Sequence, residues 1–266
     1  MSDAFYTHGH HRVVVSAHAE RSVADSAAFL LPYLHGDIRL LDFGCGPGSI
    51  TADLANHLGQ GGYVVGIDDS ADAIDVAARR HQSGRVRFEV ASVYGLPFAD
   101  GTFDVAYGHQ VLQHLADPVQ ALREIKRVLR PGGLVAVRDG DYGTMTHHPH
   151  HEGLDTWRDL YRKVARSNGG EPDAGRWLQT WVAKAGFVDV AATTSTWDYT
   201  TKERRADWAQ LWADRIRLPR FAARAEALGR GDEIEPAAEA WLQWASEPDG
   251  WFAFIHGEVV AAKPSD

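Results

Sequence analysis

Strands and helices alternate through the first half of this chain, which predicts an α/β protein built on a doubly wound, mostly parallel sheet. Three observations carry the prediction. Between residues 36 and 140, short β-branched runs are separated by amphipathic stretches of helical length. A glycine-rich turn, Gly44-Cys45-Gly46-Pro47-Gly48, stands where the first of these runs gives way to a helix. All nine tryptophans lie beyond residue 156, so a distinct aromatic half follows the regular one.

Taken in order, Ile38–Phe43 reads as a buried strand and Ser49–Leu58 as a helix. Strand Tyr63–Asp68, helix Ala71–His81, strand Val86–Ala91, strand Phe103–Tyr107, helix Pro118–Leu129 and strand Leu134–Arg138 follow. Arg130-Pro131-Gly132-Gly133 stops a helix, because proline cannot continue it and glycine tolerates positive φ. Helices are predicted over Leu154–Ser167 and Gly175–Ala185, a strand over Phe187–Trp197, a long helical region over Lys202–Gly229, a helix over Pro236–Ser246 and a closing strand over Trp251–Val260. These runs make seven strands. An N-terminal helix, His18–Leu34, would pack across the sheet edge. One domain results: a leading lid or helix (1–35), a core (36–140), the remaining sheet and helices (141–199 and 251–266) and a helical cap inserted at 200–250.

Composition excludes several classes. A net charge of −9 with dispersed Lys and Arg argues against nucleic-acid binding. No run approaches the apolar length of a membrane span, and the first residues lack the pattern of a secretory signal. A single cysteine rules out a disulfide framework and a Cys-based zinc site. A cytoplasmic protein is expected.

The glycine turn ends a strand and opens a helix, where a ligand can approach the backbone without meeting Cβ atoms. Twenty residues after Gly48, a second strand ends in Asp68. A carboxylate there can accept from both hydroxyls of a ribose, so the spacing fits a nucleotide cofactor. The third glycine of a dinucleotide fingerprint would fall on Ser49, and Asp42 stands beside the turn. A carboxylate is awkward for a pyrophosphate but suits a cation such as S-adenosylmethionine.

DFGCGPG, GIDDS, FEVASVYGLPFADGTFDVAYGHQVLQHLADP and LREIKRVLRPGGLVAV resemble, in order, the motifs of class I S-adenosylmethionine-dependent methyltransferases. The nearest likeness is to the ubiquinone/menaquinone-biosynthesis C-methyltransferases. The resemblance covers about residues 36–140 and implies a Rossmann-like sheet with an antiparallel closing strand. It places Gly44, Cys45 and Gly46 at the methionine half of the cofactor, Asp42 at its amino group, Asp68 at the ribose and Asp69 alongside the adenosine. Ser92 and Val93 would contact the adenine. Ser92 stands where the family usually has Asp, so that contact would be uncharged.

His109 follows the fourth strand at the edge where the transferred methyl is expected; it is a candidate for cofactor contact through its main chain and for general base. His114 reads better as a structural residue. In the N-terminal run Tyr6-Thr7-His8-Gly9-His10-His11, Tyr6 and one of the histidines are candidates to reach the site, Tyr6 as a cofactor contact. His147-His148-Pro149-His150-His151 invites a metal reading, but adjacent residues around a proline converge poorly, so no metal is expected; His147 or His148 is instead a candidate for substrate contact, and His148 for catalysis. The tryptophan pairs 177/181, 208/212 and 241/244 share helix faces, and in the cap they would serve the core, line an acceptor site, or both. The expected activity is methyl transfer to a small apolar or aromatic molecule, with S-adenosylhomocysteine as product. Rival readings are non-methylating chemistry with the same cofactor, a nucleotide-dependent oxidoreductase, and a non-catalytic cofactor-binding protein.

Overall fold

The computed structural model describes residues 21–265. Its sheet runs in the order β3-β2-β1-β4-β5-β8, and β6 and β7 also pair with β8. The strands are β1 (Arg39–Phe43), β2 (Tyr63–Asp68), β3 (Val86–Val90), β4 (Phe103–His109), β5 (Leu129–Gly140), β6 (Thr146–His148), β7 (Val188–Tyr199) and β8 (Trp251–Ala262). Pairs among β1–β5 are parallel, and β8 is antiparallel to β5, β6 and β7. The predicted antiparallel closing strand is therefore β8, and β6 is a short addition inside the histidine-rich run. The inner parallel strands β1, β2 and β4 are largely buried because both of their faces are covered, whereas the edge strand β3, Val-Arg-Phe-Glu-Val, is only half-buried.

The helices are α1 (Val23–Ser26), α2 (Ser49–Asn56), α3 (Ala71–Arg80), α4 (Pro118–Val128), α5 (Glu152–Ser167), α6 (Leu178–Lys184), α7 (Lys202–Arg217), α8 (Pro219–Ala227) and α9 (Ile234–Ala245). Three expected boundaries differ. The helix placed over His18–Leu34 is, in its described part, the single turn α1 followed by a 3₁₀ segment, Ala28–Tyr33, that contains Pro32. The region Lys202–Gly229 is two helices, since Pro219 has no N–H to continue α7 and starts α8 instead. Strand β5 begins at Leu129, with Pro131-Gly132-Gly133 inside an irregular stretch opposite Phe103–Val105.

Alternation along each strand sorts side chains between the two faces. One face carries Leu40, Val64, Val105, Tyr107, Ala136 and Val260 against α1, α2 and the 3₁₀ segment. The other carries Leu41, Val65, Ala106, Val135, Val137 and Val259 against α4 and α6. A third core, rich in aromatics, joins α5, α7, α8 and α9 to Phe252 and Phe254 of β8. Helices α7–α9 all lie between β7 and β8, within 200–250. No helix of the described residues is long and apolar enough to cross a membrane.

Candidate active site

Between β1 and α2 the backbone turns through Gly44, Gly46 and Gly48, with φ of +71°, +52° and +82°. The N–H groups of Gly44 and Cys45 both donate to the Ile67 carbonyl, at 2.7 and 2.9 Å, tying the turn to β2. A Cβ on Gly44 would lie 2.3 Å from a Val111 methyl, and one on Gly48 would lie 2.7 Å from the Phe88 ring. A Cβ on Gly46 would meet nothing within 4 Å. Packing therefore explains Gly44 and Gly48, whereas Gly46 borders open space, a cradle a side chain would fill.

Carboxylates surround this turn. Asp42 is buried and accepts from the Thr51 hydroxyl at 2.6 Å. Burial pushes its carboxyl up to about 7; the Thr51 bond opposes this and the nearby Asp68 charge adds to it. The Asp68 carboxylate accepts from the Gly46 N–H on one oxygen and from the Ser70 N–H on the other, each at 3.0 Å. Asp69 is exposed beside it. Ser92 lies just past β3, and its hydroxyl accepts from the Tyr94 N–H at 3.3 Å, leaving its own O–H to donate; Val93 next to it is half-buried. Burial also pushes the Cys45 thiol well above its ordinary range, which makes it a packed residue of low nucleophilicity. Open space at Gly46, two carboxylates on the turn and a third beside it fit a cationic, ribose-bearing ligand.

His109 is the last residue of β4, buried, and faces the same side of the sheet as Tyr107. Its ring lies 5.7 Å from Trp197 and 6.3 Å from His256, nearly parallel to the latter. The expected constellation did not include His256, Trp197, Arg138 or Asp139. The Arg138 guanidinium is buried, pairs with Glu258 at 3.1 Å and lies 4.9 Å from the Trp197 ring. Asp139 is fully buried, accepts from the Gln113 N–H at 3.2 Å and is pushed up by burial to about 8. The signal for this group was faint: a charged pair, Arg138-Asp139, ending an otherwise apolar strand, and a lone histidine inside the β8 run FAFIHGEVV.

Tyr6 and the histidines of its run lie outside the described residues. His148 is exposed, its imidazole 3.3 Å from Asp249. On β8 it pairs with Trp251, five residues from the His256 position that pairs with Gly140. At about 3.4 Å per residue that separates the two levels by roughly 17 Å, so the fold does not bring His148 together with His109. The histidine run does converge, contrary to expectation: ligand atoms of His147, His150 and Asp155 lie within 4.8 Å of one another. Two of the three are already engaged: His147 Nε2 accepts from the His151 N–H, and Asp155 Oδ1 accepts from Arg158. Burial, with the Arg215 and Arg21 charges, pushes the His114 imidazole down to about 3, so it stays neutral. Trp208, Trp212, Trp241 and Trp244 are all buried in the aromatic core, while Trp177 is exposed. Several of their contacts are edge-on, such as Trp157 against Trp212 and Trp241 at 4.5 and 4.7 Å.

The methyltransferase domain family matches residues 41–137. An uncharacterized methyltransferase of Schizosaccharomyces pombe is 32% identical over 97% of this chain and 96% of its own length. An O-methyltransferase, resE, of Aspergillus sclerotiorum is 35% identical over 56% of this chain and 54% of its own. Among solved structures, the YcgJ protein of Bacillus subtilis superposes with a TM-score of 0.61 at 19% identity, covering 91% of this chain and all of that one.

Proposed function

The chain belongs to the methyltransferase family and is an S-adenosylmethionine-dependent enzyme; from that premise we propose that it methylates a hydroxyl of a small apolar or aromatic molecule. The observation that carries this reading is the position of His109. It ends β4, whose Tyr107 pairs with Asp42 beside the glycine turn, and its ring lies 5.7 Å from Trp197 and 6.3 Å from His256. The cofactor, when bound, supplies an electrophilic methyl on a sulfonium. Gly44, Cys45 and Gly46 would border its methionine half, Asp42 its amino group, Asp68 the ribose, Asp69 the adenosine, and Ser92 with Val93 the adenine. Positioning does most of the work in such a displacement, and the chain's further contribution is a base: His109 takes the acceptor proton. Helices α7–α9 would roof the edge and exclude water, and the aromatic surface beside His109 would select a flat or apolar acceptor. No role is assigned to His148.

A hydroxyl acceptor is favoured by the likeness to an O-methyltransferase and by the presence of a histidine at the strand end. The motif resemblance to the ubiquinone/menaquinone C-methyltransferases supports a second reading, in which the acceptor is an activated carbon. A metabolite screen with an isotopically labelled methyl donor tests both. Label appearing as an O-methyl group, and lost on His109→Gln in folded protein, is the expected result. Label on carbon, or undiminished transfer by His109→Gln, would overturn the hydroxyl-and-base reading.

A further inference from the structure

Gln110 follows His109 directly, and its φ of +55° is one of two positive values at non-glycine residues among the described residues. Such a conformation persists only where the surroundings over-determine it. Two contacts do so here. The Gln110 N–H donates to the Arg138 carbonyl at 2.7 Å, and its side-chain amide nitrogen lies 3.0 Å from His256 Nε2. The path from β4 to β8 passes β5 at Gly140, the partner of His256, where a Cβ would sit 3.7 Å from His256 Nε2 and 3.1 Å from the Phe254 ring. A side chain there would crowd the Gln110 contact.

His256 is fully buried, its ring 4.4 Å from Trp197 and 4.5 Å from Phe254. Burial, with the charges of Arg138 and Arg21, holds the imidazole well below its usual range. The charged groups near it are Arg138 from β5, Glu258 from β8, which binds Arg138, and Arg21 ahead of α1. A neutral imidazole that accepts on Nε2 from the Gln110 amide carries its proton on Nδ1. That Nδ1 has no hydrogen-bond partner among the described residues. A fully buried ring with one nitrogen pinned and the other unspent supports a neighbour rather than titrating itself.

We infer that Gln110 and His256 form a positioning pair for His109. The left-handed turn at Gln110 sets where the chain leaves β4, and the pinned His256 ring fixes the plane of the imidazole stacked on it. The inference rests on the reading of His109 as the base, and its test separates the two. Gln110→Gly suits the positive φ and removes the whole side chain, amide included; Gln110→Asn, which also tolerates that backbone but is too short to reach His256, is the second variant and keeps an amide. Imidazole ¹⁵N NMR of the full chain with S-adenosylhomocysteine should show a single neutral His256 tautomer, protonated at Nδ1, from about pH 6 to 8. In both variants that single tautomer should be lost and the His109 ring resonances should move. On the acceptor found by the labelled-donor screen, kcat should fall about tenfold or more with KM and cofactor affinity within about threefold. Adding Gln110→Gly to His109→Gln should cost nothing further. Unmoved His109 resonances, or an equal loss in the His109→Gln background, would overturn the positioning role. Full turnover by His109→Gln alone would overturn the base reading, and the purpose of the pair with it.

Discussion

Gly46 donates its backbone N–H to the Asp68 carboxylate at 3.0 Å, joining two segments 22 residues apart in sequence. The residue that borders the open side of the turn is thus held by the residue proposed to take the ribose. Asp68→Ala removes a charged acceptor from the cofactor and an anchor from the turn together. S-adenosylmethionine affinity should fall by about 1.5–3 kcal/mol, and calorimetry on folded variant would measure it. Unchanged affinity would discard the ribose assignment.

The glycines of the turn should separate into two behaviours. Gly46→Val places its side chain in open space, so the fold should bear roughly the 1–2 kcal/mol cost of a left-handed L-residue, while cofactor binding should be lost. Gly44→Val drives its Cβ against Val111, so it should lower the melting temperature markedly before any ligand is added. Thermal melts with and without S-adenosylhomocysteine distinguish the two, and normal ligand-induced stabilisation of Gly46→Val would count against the cradle.

Asp42, pushed up to about 7 by burial, holds its proton at the acid side of neutrality. A bound cation favours the ionised form, so the proton must leave when the cofactor binds. Affinity should therefore rise with pH between about 6 and 8, by up to tenfold per unit below the carboxyl's own pKa. Asp42→Asn should bind weakly throughout and lose the slope. A flat profile for the unaltered chain would remove Asp42 from contact with the cofactor's charge.

Asp139 gives a stability prediction of definite sign. Its carboxyl, raised by burial to about 8, keeps in the folded state a proton that the unfolded chain releases near pH 4. Stability from this group is full below the unfolded value and is lost as pH rises through the folded one. Asp139→Asn keeps an oxygen for the Gln113 N–H and has no proton to lose. The melting temperature of the variant relative to the unaltered chain should climb from pH 5 to 8.5; a constant difference would mean that Asp139 is ionised in the fold.

Local patterns made the glycine turn and the carboxylate beside it legible in the sequence. The strand at Tyr63–Asp68 and the start of α2 at Ser49 fall where the β-branched run and the glycine turn put them. The turn and Asp68 belong to adjacent parallel strands, so spacing alone implied their meeting. The break at Pro219 was masked by a polar-aromatic pattern that runs on across it. His256 escaped notice for a different reason. It meets Gln110 across 146 residues, and that contact depends on β8 inserting antiparallel beside β5, which no local pattern encodes. The histidine run misled in both directions: its members converge through the turn into α5, yet His148, the member singled out, lies far along β8 from the strand end that matters.

The tryptophans decide where the acceptor sits. The helical spacing left the cap tryptophans to serve the core, an acceptor site, or both; Trp208 and Trp212 are buried among aromatics, as are Trp241 and Trp244. Truncating any of the four to Ala should cost about 3–5 kcal/mol of stability, and the milder Trp→Phe should leave acceptor kinetics nearly unchanged. Trp197 differs. It is half-buried, its ring faces His109 and His256, and its N–H donates to the Asp25 carbonyl at 3.1 Å while Arg138 and Arg21 lie over its ring. Trp197→Phe keeps most of the apolar surface but loses that anchor and the breadth of the indole. Acceptor KM should rise or kcat should fall, with cofactor affinity within a few-fold, and the melting temperature should drop less than for the truncations in the cap. Turnover is to be compared only among folded variants, by melting each one first. If Trp208→Phe alters acceptor kinetics and Trp197→Phe does not, the acceptor binds within the helical cap and not at the strand edge beside His109.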